Sequence, residues 1–178
     1  MGVSVGSSIY NAPSIYESGA GGGGGTIPAT VKINGNDYGV IKVGNLLWLT
    51  SNLKGGATRQ GIEGFYSKQT IQDLNIDGWR IPNEADFVFL NNTFKYQTLN
   101  GTEYWYNGGN NYSGFNAAAC GYWTGTFLSR FHEQAIFPYY TEVDPNVLNS
   151  VAFDESIMSF GNGFLDSDEL TVRLCKDA

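Results

Sequence analysis

A run of glycines near the N-terminus constrains the fold of this chain more than any other feature. The stretch SGAGGGGGT, residues 18–26, has almost no side chains that a core could bury. The whole chain has 178 residues, 42% of them hydrophobic, which is enough for one sizeable core. We therefore predict an N-terminal arm over residues 1–17, a glycine-rich linker over residues 18–29 and one folded domain over residues 30–178.

The arm repeats the tripeptide Ser-Ile-Tyr on either side of Pro13, which prevents a regular helix. We expect the glycine run to be held in one conformation. Fixing a backbone costs roughly 1–2 kcal/mol per residue, and glycine buries nothing that would offset this cost. A neighbouring surface must then supply the difference, so we interpret the arm as an extended docking peptide rather than a disordered tail. Its expected anchors are Ile9, Tyr10, Ile15 and Tyr16.

Short β-branched and aromatic runs follow the linker. Asn34-Gly35 separates the first two, and Asn-Gly is the strongest short signal for a tight hairpin. Two helices are predicted next, one in residues 66–74 with Ser67 as its cap and one that begins after Asn83. The last third of the chain returns to short strands divided by turns. The predicted fold class is α+β, with two short helices and a twisted, mostly antiparallel sheet after an extended N-terminal arm.

Charge and hydropathy exclude two classes of partner. The formal net charge is −7, and the 10 Lys and Arg residues leave few donors for a phosphate backbone, so we expect no nucleic acid partner. No stretch approaches about 18 uninterrupted apolar residues. The N-terminus also lacks the basic start and apolar block of a secretory signal. We therefore expect no membrane insertion and no export through such a signal.

The sequence contains no recognisable catalytic constellation. His132 is followed by Glu133, but adjacent residues of a strand point to opposite faces, so we interpret His132 as a solvated loop residue. Cys120 and Cys175 have no activating histidine and no CxxC spacing, and we favour a pair of buried free thiols over one disulfide. We expect no catalytic residue, no metal and no cofactor.

Large aromatic residues and two arginines are assigned to the core. The four aromatic residues are Trp48, Trp79, Phe87 and Tyr122. Arg80 and Arg173 flank apolar residues, and a buried arginine would need a carboxylate partner. Glu84 and Asp86 are near Arg80 in sequence, so we predict a structural ion pair.

A long segment, residues 91–114, is rich in Asn, Gly and Tyr without sustained periodicity, which predicts surface loops. Part of it combines flat apolar faces with amides, the materials of carbohydrate or protein contact surfaces. In the alternative interpretation, Trp105 and Tyr112 fill gaps beneath a long loop, and the sequence leaves both open. The candidate ligand-binding residues are Tyr104, Trp105, Tyr106, Asn110, Asn111 and Tyr112.

Four motifs between about Thr30 and Asp177 occur in an order that is familiar from one family. They are VGNLLWLTSNL, GWRIPNEADF, GFNAAACGYWTGTF and LTVRLCKD. With these four motifs in this order, the chain resembles the Fibrobacter succinogenes major paralogous domain family of Bacteroidetes and their phages. The resemblance implies a variant of the C-type-lectin-like fold that is shared with formylglycine-generating enzymes. Asn75 stands where the family often has a cysteine, so the usual partner of the terminal cysteine is missing.

Lectins of this broad fold often hold a sugar through calcium, and the triplet Asp144-Pro145-Asn146 is suggestive of one ligand segment of such a site. The second ligand segment that such a site needs, Trp-Asn-Asp, is absent from the chain. Residues 166–169, DSDE, are interpreted as a solvated turn. The resemblance therefore does not imply a calcium site here.

The arm and the resemblance together imply a non-enzymatic structural protein of a virion, such as a head fibre, a decoration protein or a tail appendage. In this interpretation the arm docks onto other virion proteins, and the lectin-like domain is displayed on the exterior to adhere to a host glycan or surface. We expect a homo-oligomer, with a trimer as the first expectation, because virion appendages are symmetric. The alternative is a bacterial cell-surface carbohydrate- or protein-binding module, located extracellularly or on the cell surface. A formylglycine-type enzyme ranks last, because this chain lacks the closely spaced cysteine pair.

Overall fold

The computed structural model describes residues 30–178, apart from Lys95, Pro145, Ser156, Asn162 and Gly163, and without the side chains of Tyr96 and Gln97. The predicted arm, its four anchors and the glycine linker lie in residues 1–29, outside the described residues. They therefore stay predictions.

The described part of the chain consists mainly of short strands. The strands are β1 (Thr30–Ile33), β2 (Asn36–Val43), β3 (Leu46–Leu49), β4 (Ala57–Arg59), β5 (Ile62–Ser67), β6 (Tyr122–Trp123), β7 (Leu128–Ser129), β8 (Ala135–Tyr140), β9 (Leu148–Phe153), β10 (Met158–Phe160), β11 (Glu169–Thr171) and β12 (Cys175–Asp177). The helices are α1 (Lys68–Gln72), α2 (Glu84–Phe94) and α3 (Tyr96–Leu99).

The first sheet brings the two ends of the domain together. Its strand order is β1-β2-β3-β12, so the C-terminal strand pairs with β3, with Cys175 opposite Trp48. The predicted hairpin between β1 and β2 is confirmed: Asn34 has φ 49° and Gly35 has φ 81°. Both angles are positive, as the two central residues of a type I′ turn require.

Two further sheets complete the fold, with strand orders β10-β9-β8 and β4-β5-β11-β6-β7. Every pairing between named strands is antiparallel, and the parallel contacts are isolated bridges such as Gly121 with Ala135. The α+β class with mostly antiparallel strands is confirmed. The prediction of a single sheet is wrong, because β11 pairs with β5 and β6 whereas β12, a few residues later, pairs with β3.

Both predicted helix caps are present. The Thr70 amide donates to Ser67 Oγ at 3.2 Å at the start of α1. At the start of α2 the capping is reciprocal, since the Asp86 amide donates to Asn83 Oδ1 at 2.9 Å and the Asn83 amide donates to Asp86 Oδ2 at 2.8 Å. Asp86 also accepts from Arg80 Nη1 at 2.5 Å, which confirms the predicted ion pair and ties the helix start to the strand-like segment before it.

The third helix, α3, lies within the segment that was predicted as loop. It is a single turn of four residues whose last residue, Leu99, is fully buried. One turn is too short to show a 3.6-residue periodicity, so the sequence carries no helical signal there.

Two large core clusters form on either side of the β8–β10 sheet. Phe137, Val151 and Phe153 belong to the first cluster, together with Trp48 of β3 and Phe87 of α2. Alternation along the same strands directs other side chains to the second cluster. Those are Ile136, Leu148 and the half-buried Ala152, which pack with Trp79, Leu170 and the half-buried Tyr122. The four predicted core aromatics therefore all pack in the core clusters, although Tyr122 is only half-buried.

Candidate binding surface

The loop that carries the candidate ligand residues is closed at its base. The carbonyl oxygen of Ala117 accepts the Gly101 amide and the indole Nε1 of Trp105, each at 2.8 Å. The Ala117 amide donates to Leu99 O at 2.9 Å. Trp105 is buried in the first core cluster, so for this residue the structure agrees with the gap-filling interpretation.

Arg173 fixes the far end of the same loop. Its guanidinium donates to the carbonyl oxygens of Leu49 at 2.9 Å and Asn116 at 3.1 Å, to that of Phe115, and to Asn52 Oδ1 at 2.9 Å. One fully buried side chain therefore ties the end of β3 to the end of the loop.

The expectation that Arg173 has a carboxylate partner is wrong. Its charge faces four neutral oxygens, and the guanidinium lies 4.6 Å from the ring centroid of Phe115 and 5.3 Å from that of Phe137. Burial lowers the pKa of Arg173 to about 9, so the side chain remains charged at neutral pH. Carbonyl oxygens and aromatic rings therefore stabilise the Arg173 charge in place of a carboxylate. The residues that supply them are far from Arg173 in the sequence and come together only in the fold.

Four rings form a row where the loop meets the turn before β8, and we call them the aromatic surface: Tyr104, Tyr106, Phe131 and His132. Ring centroids are 5.0 Å apart for Tyr106 and His132, 3.7 Å for His132 and Phe131, and 5.7 Å for Phe131 and Tyr104. The side chain of Tyr106 is 72% exposed, and Tyr104 is also exposed. Phe131 and His132 are half-buried, so the two tyrosines form the exposed part of the row.

Backbone hydrogen bonds hold this row in place. His132 Nδ1 lies 2.5 Å from Tyr104 O, and because a carbonyl oxygen only accepts, Nδ1 is the nitrogen that carries the proton. The Tyr106 amide donates to His132 O at 3.3 Å, and the His132 amide donates to Ala119 O at 3.0 Å. His132 is thus a half-buried connector between two segments and not a freely solvated residue.

The backbone beneath the aromatic surface is strained. Tyr104, Arg130 and His132 have φ values of 66°, 58° and 68°, in the left-handed region that residues other than glycine rarely adopt. Each such residue costs of the order of 1–3 kcal/mol, and the surrounding hydrogen bonds must offset this cost. Strain of this kind concentrates at functional sites, so it favours the aromatic surface as a candidate functional site.

Polar groups accompany the rings. Asn107, next to Tyr106 in the chain, donates from Nδ2 to both carboxylate oxygens of Glu155 at 2.7 Å. Both side chains are exposed. An amide and a carboxylate are therefore held together beside an exposed ring, where they can exchange hydrogen bonds with a hydroxylated ligand.

The other predicted ligand residues lie on the returning limb of the loop. Asn111 Oδ1 accepts the Asn116 amide at 2.8 Å, so this side chain supports the loop. Asn110 Oδ1 accepts the Tyr112 amide at 3.1 Å. Tyr112 is 74% exposed and therefore fills no gap. Its ring belongs to none of the ring pairs found among the described residues.

The two cysteines are free and buried, as predicted. Burial raises the pKa of Cys120 to about 12 and also raises the pKa of Cys175, so neither is a thiolate nucleophile at neutral pH. Asp144 Oδ1 accepts from the Asn146 amide at 2.9 Å and from Asn146 Nδ2 at 3.1 Å, which shapes a turn. In the described part of the chain no three His, Cys, Asp or Glu side chains come together as metal ligands, and no helix is long and apolar enough to cross a bilayer.

Comparisons of the chain with protein-family models, with curated proteins and with solved structures found no match in any of the three. The likeness to the Fibrobacter succinogenes paralogous domain family therefore depends on the four sequence motifs alone.

Proposed function

We propose that this protein is a non-enzymatic structural component of a virion, in which a C-type-lectin-like domain adheres to host-surface glycans through the aromatic surface. The observation that carries the adhesive part of the proposal is the row of four rings, with Tyr104 and Tyr106 exposed, on a strained, hydrogen-bonded backbone. The four sequence motifs support the lectin-like part, and the N-terminal arm supports the virion part.

The chemistry of the surface suits a sugar. The C–H face of a pyranose packs on aromatic rings, while its hydroxyl groups need donors and acceptors nearby. Tyr106 supplies an exposed ring, and Asn107 and Glu155 supply the amide and the carboxylate beside it.

Anchoring of the loop favours binding because less conformational entropy is lost when a ligand arrives. Trp105 and Arg173 both hold the returning end of the loop, since the Trp105 indole donates to Ala117 O and the Arg173 guanidinium donates to Asn116 O. A surface that is already held in its contact geometry spends less of its interaction free energy on ordering.

Adhesion is tested with two matched tyrosine variants of the full chain. Tyr106 and Tyr112 lie in the same loop and are 72% and 74% exposed, but only Tyr106 belongs to the aromatic surface. We expect Tyr106→Ala to weaken binding to host cells by about tenfold, the loss of one stacked ring, and Tyr112→Ala to leave it unchanged. Equal binding by wild type and Tyr106→Ala in a cell pull-down would refute the adhesive role.

Docking is tested separately. The arm is expected to attach the protein to other virion proteins as a symmetric oligomer, with Ile9, Tyr10, Ile15 and Tyr16 as anchors. Deletion of residues 1–25 should abolish incorporation into particles and leave the folded domain intact. Undiminished incorporation of the deletion variant would end the docking claim, and the alternative of a bacterial cell-surface module would then take precedence.

A further inference from the structure

A groove of about 610 Å³ opens on the face of the β8–β10 sheet that points away from the first core cluster. It shares no residue with the aromatic surface. Its apolar floor consists of residues that belong to or pack against the second core cluster. Of these, Tyr122, Ala152 and Phe164 are half-buried and offer surface to a ligand. Ile136, Leu148 and Leu170 are at most 6% exposed. Ligand-binding clefts in proteins commonly have volumes of roughly 300–1,000 Å³. The groove is thus a part of the second core cluster that the chain leaves partly open.

Neutral polar side chains line the groove above this floor. Gln134 contributes an amide, and Ser150 and Ser159 contribute hydroxyl groups. Such groups donate and accept hydrogen bonds without carrying charge. The lining therefore combines an apolar floor with neutral donors and acceptors.

A buried carboxylate sets the charge of the groove. Asp168 is only 6% exposed, lines the groove and accepts the Leu165 amide through Oδ2 at 2.9 Å. Lys68 also lines the groove, but its Nζ lies 3.2 Å from Asp166 Oδ1 in an ion pair. The Asp168 carboxylate would therefore repel an anionic ligand, and the net charge of −7 adds to this repulsion.

The rim of the groove and its aromatic residues add apolar surface. Val147 and Leu165 are exposed where they line the groove. Tyr122 and Phe164 supply rings to the lining. Exposed apolar groups that surround a cleft are typical of a surface that a ligand covers.

We propose that this groove is a second binding site that takes a neutral oligosaccharide. Ala152 and the rings of Tyr122 and Phe164 contact the C–H faces of the sugar. The Gln134 amide and the two serine hydroxyl groups hydrogen-bond its hydroxyl groups. The apolar side chains of a peptide segment would offer the amide and hydroxyl groups of the lining no partners, which costs about 1–3 kcal/mol for each group left unpaired. The inference goes beyond the proposed function, because it concerns a different surface and does not require that the aromatic surface binds glycans.

The test uses saturation-transfer NMR on the full chain with maltotriose, cellotriose and chitotriose as neutral probes and sialyllactose as an anionic probe. Ser159→Trp places a large ring in the groove from an exposed position of the edge strand β10, so the variant should fold. Thr58→Trp is the matched control, because Thr58 is an exposed strand residue outside the groove. Asp168→Asn keeps an acceptor for the Leu165 amide and removes the charge.

We expect at least one neutral trisaccharide to bind the wild type and Thr58→Trp alike, and to bind Ser159→Trp at least about tenfold more weakly. Sialyllactose should bind more weakly than the neutral probe, and Asp168→Asn should reduce that difference. The proposal is overturned if no neutral probe binds or if Ser159→Trp binds as the wild type does. It is also overturned if a synthetic peptide of residues 1–17 occupies the groove in place of the sugars. Loss of binding in Tyr106→Ala but not in Ser159→Trp would assign the sugar to the aromatic surface and reject the groove.

Discussion

Two groups of aromatic rings in this protein have similar spacing and different surroundings. In the inner group, Trp48, Phe87, Phe115, Phe137 and Phe153 pack with centroid separations between 5.3 and 6.4 Å, and all five are fully buried. In the aromatic surface the separations are 3.7 to 5.7 Å, but Tyr104 and Tyr106 are exposed. Ring spacing alone therefore does not distinguish a core from a contact surface.

The difference lies in burial and in the backbone. None of the five residues of the inner group has a positive φ, whereas Tyr104 and His132 of the aromatic surface do. The inner rings stabilise the fold, whereas the backbone that positions the aromatic surface is strained, which costs free energy. Arg173 joins the two groups, because it stacks on Phe115 and Phe137 and also binds the end of the loop that carries Tyr104 and Tyr106.

The largest effect is expected at the centre of the inner group. Phe137→Ala should lower the free energy of unfolding by about 3–5 kcal/mol, because a fully buried ring in contact with Phe87, Phe115 and Phe153 leaves a cavity. Urea denaturation followed by tryptophan fluorescence measures the change. A loss below about 1 kcal/mol would contradict a tightly packed inner group.

Arg173→Met should have the next largest effect, a loss of about 2–4 kcal/mol, because four buried or half-buried oxygens lose their donor. Arg130→Met is the control, since Arg130 is exposed and makes one exposed ion pair with Glu133 at 3.1 Å. That variant should lose less than about 1 kcal/mol. If both variants were equally stable, Arg173 would not be the link between the two groups.

A smaller effect is expected at alkaline pH. The folded-state pKa of Cys120 is raised from 9.0 to about 12, so its contribution to stability is full below pH 9 and is lost as the pH rises towards 12. Between pH 8 and pH 10 the wild type should therefore lose about 1 kcal/mol more than Cys120→Ala does, with one pKa unit worth about 1.4 kcal/mol. Denaturation curves at the two pH values measure this difference. Parallel losses in the two proteins would show that the thiol is not protected from ionisation by burial.

The smallest effect on stability is expected in the outer row. Tyr106→Ala should change the free energy of unfolding by less than about 0.5 kcal/mol, because the side chain is largely exposed. The same variant is the one expected to lose adhesion. A strong loss of stability would show that Tyr106 stabilises the fold as a core residue does. The two groups of rings would then not differ in their contribution to stability.

Features with local determinants were predictable from the sequence. The Asn34-Gly35 turn and the caps at Ser67 and Asn83 depend on residues within a few positions of one another. The division into three sheets was not predictable, because it depends on which distant strands pair, as when β12 joins β3. The same reason explains the wrong partner for Arg173, whose bond to Leu49 O spans 124 positions.

The candidate surface was predictable in part. Composition pointed to Tyr104 and Tyr106, which are the two exposed members of the aromatic surface. Composition did not distinguish these exposed tyrosines from the buried Trp105, because a large aromatic residue in a loop can either fill the core or contact a ligand. Phe131 and His132 were missed as members of the row, since no sequence signal joins residues 28 positions apart, the separation of Tyr104 and His132.

The contrast between the two groups is tested most directly by ring-proton NMR of the full chain during titration with purified polysaccharide from the host surface. The account predicts that the ring signals of Tyr106 and His132 shift with added polysaccharide, while those of Phe87 and Phe137 stay unchanged. Saturating polysaccharide that leaves the signals of Tyr106 and His132 where they were would contradict it.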